Sequence, residues 1–120
     1  MVWRVKYSLI ILISMSLFGC GVREIPQQKA TLARLATSNA PLSTVKSTLG
    51  MNFEIRKRGS PEWDRMLQTY RLEKLSKRDK NVVSKMDKAS AVGFTSSQTM
   101  VTYIFLDEQD RIIDYEVGAQ

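Results

Sequence analysis

Histidine is absent from this chain of 120 residues, and cysteine occurs once, at Cys20. Without histidine, the protein lacks the usual general base near neutral pH and the commonest metal ligand. A single cysteine excludes an internal disulfide and any metal site built from several cysteines. The composition therefore argues against most catalytic chemistry, and we expect a protein that is not an enzyme and that needs no metal or cofactor.

A long apolar run is also missing. The apolar stretch at residues 8–18 follows Arg4 and Lys6 and holds no charge. It is shorter than the roughly 20 residues that a transmembrane helix needs. A basic start followed by about 7 to 15 apolar residues is typical of a secretory signal peptide. A buried helix or an uncleaved anchor would have a similar composition, but the terminal position and the polar sequence that follows favour the signal peptide.

The end of this segment is the most specific motif in the chain. Residues 17–20 read Leu-Phe-Gly-Cys, with a branched apolar residue three positions before the cysteine and the small residue Gly19 directly before it. This motif resembles the lipobox of bacterial lipoproteins. Gly19 leaves the scissile bond uncrowded, and the thiol of Cys20 is the only strong nucleophile that the chain offers for alkylation.

The lipobox resemblance implies how the chain is processed and where it is located. It implies that residues 1–19 are removed, that Cys20 carries a diacylglyceryl group, and that the new α-amine is acylated, usually with palmitate. In that family an aspartate after the cysteine is the usual signal for retention in the inner membrane, and here the residue is Gly21. The resemblance therefore implies a lipid-anchored protein on the periplasmic face of the outer membrane.

Charge is distributed unevenly after the signal peptide. Residues 56–88 carry eleven basic and five acidic side chains, whereas residues 89–120 carry one basic and five acidic side chains. The basic stretch is compatible with a solvated surface or with contact to anionic lipid head groups, since the anchor would hold it near a membrane. Nucleic acid is not expected as a partner, because the sequence contains no recognition motif.

The remaining chain is long enough for one domain, at about 100–200 residues per domain. We expect a short tether over residues 20–28 and one small α+β domain over residues 29–120. Apolar residues at helical spacing predict a first helix over residues 28–37. A second helix is predicted over residues 42–49, where Leu42, Val45 and Leu49 form one apolar stripe. The stripe stops at Gly50, a residue that often terminates helices.

The middle of the chain is ambiguous. Residues 61–75 fit a helix, with apolar residues at helical spacing, and they also fit a strand, with alternating residues on one face. The helical set is Trp63, Met66, Leu67 and Tyr70, and the strand set is Met66, Gln68, Tyr70 and Leu72. Residues 53–56 alternate and predict a short extended segment. The charged residues 76–88 predict a mobile loop, and the small polar residues 90–98 predict a linker or turn.

The C-terminus predicts a β-hairpin. Residues 100–106 are rich in β-branched and aromatic side chains, and residues 112–117 alternate between apolar and acidic side chains. Residues 107–111 supply a polar turn between them. On the first strand the shared face holds Val101, Tyr103 and Phe105, and on the second it holds Ile113, Tyr115 and Val117. We expect the apolar face to pack against the upstream helices.

Three features follow one another along the chain: the lipobox, the helix end Val-Lys-Ser-Thr-Leu-Gly at residues 45–50, and the C-terminal hairpin. This order resembles the SmpA/OmlA/BamE family of outer-membrane lipoproteins. The resemblance implies an α+β, β-lactamase-inhibitor-like fold (ααβββ), in which two short N-terminal helices pack on a small antiparallel sheet of about three strands. It also implies that residues 66–72 form the first strand, and that the protein is a non-catalytic accessory to β-barrel assembly.

An interaction module is thus the expected function, with an envelope protein complex as the partner. The candidate partner contacts are Phe53, Trp63 and Tyr70. The alternative, which is favoured for any single one of them, is a core position, because a domain of this size needs every large apolar residue it has. A lipoprotein of a secretion or conjugation apparatus, or an inhibitor-type binder of another envelope protein, remains the alternative. An enzyme would have to rely on a Ser–Lys pair such as Ser43 and Lys46, and no Gly-rich nucleophile turn accompanies that pair.

Overall fold

The computed structural model describes residues 24–72 and 75–120. These residues form an α+β domain with one antiparallel sheet, whose strand order follows the chain order. The predicted signal peptide, the predicted cleavage residue Gly19 and the predicted lipid-attachment residue Cys20 lie outside the described residues. In chain order, the described elements are α1 (Ile25–Thr37), α2 (Leu42–Leu49), β1 (Glu54–Lys57), α3 (Pro61–Leu72), α4 (Lys77–Met86), β2 (Ala91–Ser96), β3 (Met100–Leu106) and β4 (Ile112–Ala119).

The first helix begins earlier than the sequence predicts. Residues 20–28 are predicted as a tether, but α1 begins at Ile25. Pro26 lies in the first turn, where the missing N–H would have no helical partner in any case. Gln28 is fully buried, and its amide Nε2 donates to Thr102 Oγ1 at 3.3 Å. The folded domain therefore starts within a few residues of Cys20.

The second helix agrees with its predicted bounds. It spans Leu42–Leu49, with Val45 and Leu49 buried. Gly50 follows in the left-handed conformation, at φ +65°. Glycine adopts that conformation without the steric cost that a Cβ atom brings, so the helix ends where the sequence predicts.

Residues 61–72 form a helix, so the strand that the family resemblance implies at residues 66–72 is wrong. The Ser60 hydroxyl accepts a hydrogen bond from the Trp63 backbone N–H at 3.2 Å and caps the first turn of α3. Trp63 and Met66 are buried at helical spacing. The strand alternative requires Gln68 on the same buried face as Met66, but Gln68 is exposed.

The predicted loop at residues 76–88 is also wrong, because α4 occupies most of it. Ser76 caps this helix by accepting from the Asp79 backbone N–H at 3.2 Å. Only two side chains of α4, Val82 and Met86, are fully buried. Such a narrow apolar stripe among many charges is easily mistaken for a solvated loop, although the stripe alone is enough to hold the helix on the sheet.

The predicted linker at residues 90–98 is instead a central strand, β2, between β1 and β3. Its small residues have a packing reason. A Cβ atom on Gly93 would lie 2.8 Å from Ile55 Cδ1 and 2.9 Å from Ile104 Cγ1, the side chains that flank it on the neighbouring strands. The sheet therefore has four strands in the described residues, not the three that were expected.

Replacing Gly93 with alanine is expected to destabilise the domain by about 1–3 kcal/mol, because inserted methyl groups force neighbours in a packed core to shift. Gly118→Ala is the matched control. Its new methyl group would lie 2.5 Å from Cδ of Arg78, but this side chain is partly exposed and can swing aside at the cost of its hydrogen bond to the Ala119 carbonyl, without disturbing the core. Urea unfolding followed by circular dichroism would compare the two variants. Equal unfolding midpoints would contradict the proposed close packing at Gly93.

Helices cover both faces of the sheet, so the hairpin buries two apolar faces where one was expected. The even-numbered side chains of β3 face α1 and α2, and the odd-numbered ones face α3 and α4. The buried residues of the first layer are Leu32, Ala40, Val45, Leu49, Phe53, Ala91, Met100, Ile104, Leu106, Ile112 and Val117. Those of the second layer are Trp63, Met66, Val82, Met86, Ala89, Val92, Tyr103 and Phe105.

A β-bulge changes the predicted face of β4. The pairing shifts between Phe105, which pairs with Asp114, and Leu106, which pairs with Ile112. Ile113 is left without a partner in this register, and it is 38% exposed. The prediction that Ile113 shares the buried face is therefore wrong, because the extra residue of a bulge reverses the alternation of side chains.

Candidate functional site

A pocket of about 200 Å³ opens between α3 and the sheet, on the face that α3 and α4 cover. Three paired strands form the floor of the pocket. Glu54 of β1 pairs with Phe94 of β2, and Phe94 pairs with Tyr103 of β3. Helix α3 forms the opposite wall. The pocket is lined by Arg56, Met66, Thr69, Tyr70, Phe94 and Tyr103.

Arg56 is the charged side chain of this pocket. Its guanidinium carbon lies 4.5 Å from the centroid of the Phe94 ring, a cation–π contact. Its Nη2 atom is 3.9 Å from Glu54 Oε1, but the Glu54 side chain is 64% exposed, so this ion pair is weak. The Nε atom of Arg56 is buried and has no hydrogen-bond partner among residues 24–72 and 75–120.

Two tyrosines add hydroxyl groups to the pocket. The hydroxyl oxygens of Tyr70 and Tyr103 lie 3.2 Å apart, and either can donate to the other. Since each hydroxyl carries one hydrogen, this bond uses one hydrogen and leaves the other available. Burial raises the pKa of Tyr70 well above its usual value, and the hydrogen bond with Tyr103 raises it further. Tyr70 therefore stays neutral at physiological pH and can act as a donor.

This raised pKa predicts a loss of stability at alkaline pH. The unfolded chain ionises Tyr70 near its ordinary pKa of 10.0, whereas the folded domain keeps the proton. The raised pKa of Tyr70 therefore leaves the free energy of unfolding unchanged below that pH. As the pH rises above it, the free energy of unfolding falls. Tyr70→Phe should show a smaller decline in unfolding free energy above about pH 10 than the parent protein. Identical declines in urea titrations of the two proteins would contradict the prediction.

Of the three predicted partner contacts, one lines the pocket and two are buried in the core. Tyr70 is half-buried and lines the pocket. Trp63 is 3% exposed and Phe53 is 8% exposed, so both are core residues, and their prediction as partner contacts is corrected. Trp63 also has the guanidinium of Arg58 at 5.1 Å from its ring, which covers one side of the indole.

The sequence does not indicate that Arg56, Phe94 and Tyr103 are neighbours. They are far apart in the chain and come together only because β1, β2 and β3 pair in the observed register. Phe94 lies in the segment that the sequence predicts as a linker, so no sheet neighbour could be assigned to it. One signal was present, since Arg56 is one of the alternating residues of the short extended segment predicted at residues 53–56, so its side chain was expected on one face of that segment.

Much of the acidic C-terminal segment is used to hold α4 on β4. Lys85 Nζ donates to the Tyr115 carbonyl at 2.6 Å and to Glu116 Oε2 at 2.9 Å, and it lies 3.4 Å from Asp114 Oδ1. Burial alone would lower the pKa of Lys85, but the hydrogen bond to Glu116 and the two carboxylate charges outweigh it and raise the pKa. These carboxylates are therefore structural partners of the basic helix.

The acids in the β3–β4 turn also have a local role. Asp107 Oδ1 accepts from the backbone N–H groups of Arg111 at 3.0 Å and of Gln109 at 2.9 Å. These hydrogen bonds, that from Arg111 first, lower the pKa of Asp107. Within the part of the chain that the structure describes, no group of three or more acidic, cysteine or histidine residues is placed to hold a metal ion.

Basic helix ends gather at one end of the sheet, which we call the anchor-side end because α1, the described element nearest in the chain to the predicted anchor residue Cys20, begins there. Gln28 of α1 contacts Thr102, near the start of β3. Helix α3 runs towards this end, from Trp63 beside Arg58, which follows the far end of β1, to Tyr70 beside Tyr103 in the middle of β3. The first turn of α4 lies at the anchor-side end, because Arg78 Nη1 donates to the Ala119 carbonyl at 2.8 Å. The exposed cations of these helix ends are Arg71, Lys77 and Lys80.

Comparison with known proteins identifies no relative. No family model, no curated protein and no solved structure matches the chain. Among the described residues, no helix is long and apolar enough to cross a membrane. What these observations define is a small α+β domain with helices on both faces of an antiparallel sheet and one pocket that combines a guanidinium with aromatic walls.

Proposed function

We propose that the protein is a lipid-anchored lipoprotein on the periplasmic face of the outer membrane, whose domain acts as a non-catalytic interaction module. The observation that carries the proposal is the spacing between the lipobox-like cysteine and the fold. Only residues 21–24 separate Cys20 from Ile25, the first residue of α1. Even a fully extended chain would cover at most about 18 Å over this distance. A lipid on Cys20 would therefore keep the domain at the membrane surface.

The charges of the anchor-side end support a second contact with the membrane. An anchor on Cys20 would bring this end closest to the lipid, because α1 begins there. Arg71, Lys77 and Lys80 are exposed at that end. Each basic side chain near an anionic surface contributes about 1 kcal/mol of attraction. We therefore propose anionic head groups as an additional partner and no role for nucleic acid.

A protein complex of the envelope is the proposed principal partner, with the β-barrel assembly machinery as the first candidate. The support is the SmpA/OmlA/BamE resemblance, together with the order of elements. Helices α1 and α2 and the meander of β2, β3 and β4 follow the ααβββ order, and β1, α3 and α4 are interposed. A secretion or conjugation apparatus, or a single envelope protein that is inhibited, is the alternative partner.

Co-purification tests this proposal. The lipidated protein would be isolated from detergent-solubilised envelopes after mild cross-linking, and its partners would be identified by mass spectrometry. Recovery of barrel-assembly components would support the accessory role, and recovery of a channel or of one soluble protein would support the alternative. A parallel isolation of an unrelated lipoprotein controls for membrane proteins that are recovered without specific contact. The absence of any enriched protein would contradict an interaction module.

A further inference from the structure

We propose that the pocket between α3 and the sheet binds a carboxylate carried on a small apolar group, and that Arg56 recognises its charge. The ligand could be the C-terminal residue of a partner protein or a free carboxylic acid, which share this chemistry. Only the first of these sources rests on the interaction role proposed above. The donors, walls and charge of the pocket support either source.

Two hydrogen-bond donors of residues that line the pocket have no acceptor among the described residues. The Nε–H group of Arg56 is buried without a partner in the described residues. One hydrogen of the Tyr70–Tyr103 hydroxyl pair is not used by the bond between them. Buried donors are almost always paired with protein, water or ligand. A carboxylate offers two acceptor oxygens, one for each of these donors.

The walls of the pocket favour an apolar carrier for this carboxylate. Phe94 and Met66 contribute aromatic and thioether surface, and the volume is about 200 Å³. An apolar cavity of roughly 150 Å³ is known to hold a benzene ring. The pocket therefore has room for a ring or a branched side chain together with a carboxylate.

The charge of the pocket favours a monoanion over a phosphate group. Arg56 is the single cation among the residues that line it. The carboxylate of Glu54 lies 3.9 Å from the guanidinium and reduces the positive potential. A phosphate near neutral pH carries up to about two negative charges and is usually held by several cations or backbone N–H groups. A cationic ligand would be repelled by Arg56 itself.

The test is an NMR titration of the full ¹⁵N-labelled chain in detergent micelles, in which the Nε–H resonance of Arg56 reports binding. N-Acetylphenylalanine imitates a C-terminal residue, phenylpropionate imitates a free acid, and N-acetylphenylalaninamide lacks the carboxylate. We expect saturable shifts with at least one of the two acids, and an affinity about tenfold lower or worse for the amide, which corresponds to about 1.4 kcal/mol. Tighter binding of N-acetylphenylalanine assigns the ligand to a peptide C-terminus, and tighter binding of phenylpropionate assigns it to a free acid.

Variants separate recognition by Arg56 from general effects of charge. Arg56→Gln should lower the affinity for the tighter-binding acid at least about tenfold. Because this variant lacks the Arg56 resonance, binding is measured from the resonances of Phe94 and Tyr103. Arg65→Gln, which removes the same charge from an exposed position on α3 outside the pocket, should bind as the parent does. If Arg56→Gln fails to fold, Tyr70→Phe replaces it, and this variant is titrated with the same two acids and the same amide as the parent protein.

Three results would overturn the inference. They are an absence of saturable shifts with both acids, equal binding of the amide, and tighter binding of inorganic phosphate than of either acid. The titration uses neither a membrane nor a protein partner. Its failure would therefore leave the lipoprotein proposal standing, and failure of the co-purification would leave the pocket proposal standing.

Discussion

Replacement of Phe105 with alanine is expected to destabilise the domain by about 3–5 kcal/mol. Phe105 lies on the central strand β3, is fully buried, and belongs to the layer of the core beneath α3 and α4. Truncation would remove its transfer free energy and leave a cavity that the sheet cannot close. Small domains are typically stable by only about 5–15 kcal/mol. We therefore expect a large fall in both the urea midpoint and the melting temperature.

Ile113→Ala is the matched control for this experiment. Ile113 is a large apolar residue of the paired strand β4, but the bulge leaves it 38% exposed. Its truncation should cost about 1 kcal/mol, well below the cost for Phe105, because Ile113 is partly exposed and loses less buried surface. An unchanged melting temperature for Phe105→Ala would mean that α3 and α4 are not packed on the sheet. A loss for Ile113→Ala as large as that for Phe105→Ala would contradict the bulge.

Replacement of Cys20 with alanine is expected to release the protein from the membrane fraction or to leave it as an uncleaved precursor. The lipobox resemblance assigns both lipidation and cleavage to this residue. Each buried methylene contributes about 0.8 kcal/mol of membrane affinity, so two or three long chains anchor a protein almost permanently. Fractionation and metabolic labelling with palmitate would measure the loss.

Two further variants make the result for Cys20 specific. Gly21→Asp keeps the anchor and, by analogy with the lipoprotein family, should move the protein towards the inner membrane. A Lys77→Gln and Lys80→Gln double variant keeps the anchor and weakens only the charge of the anchor-side end, so it should remain in the membrane fraction. Wild-type recovery of Cys20→Ala in the outer membrane, without label, would exclude the lipid anchor.

Local signals were sufficient for some elements. The hairpin of β3 and β4 follows from alternating β-branched and aromatic residues around a polar turn, and the structure confirms both strands. Helix α2 follows from an apolar stripe that stops at Gly50, whose left-handed conformation the structure confirms. In these elements propensity, spacing and the terminating residue agree, so distant contacts were not needed to decide the outcome.

Other elements depended on packing that no local pattern displays. The narrow stripe of α4 is sufficient only because the sheet lies beneath it. The small residues of β2 look like a linker until the side chains of Ile55 and Ile104 close around Gly93. The residues of α3 fit the spacing of a helix and also that of a strand. Burial of Trp63 and Met66 against the sheet favours the helix.

The sequence by itself determined the class of the fold, the hairpin, the second helix and the lipobox-like motif, because each of these is encoded in neighbouring residues. Only the tertiary structure decided that the sheet has helices on both faces, that Trp63 and Phe53 are core residues, and that Arg56 shares a pocket with two tyrosines. The physical reason is that strand register and helix docking join residues far apart in the chain. The free energy of such contacts depends on which surfaces meet, and a single sequence read locally does not contain that pairing.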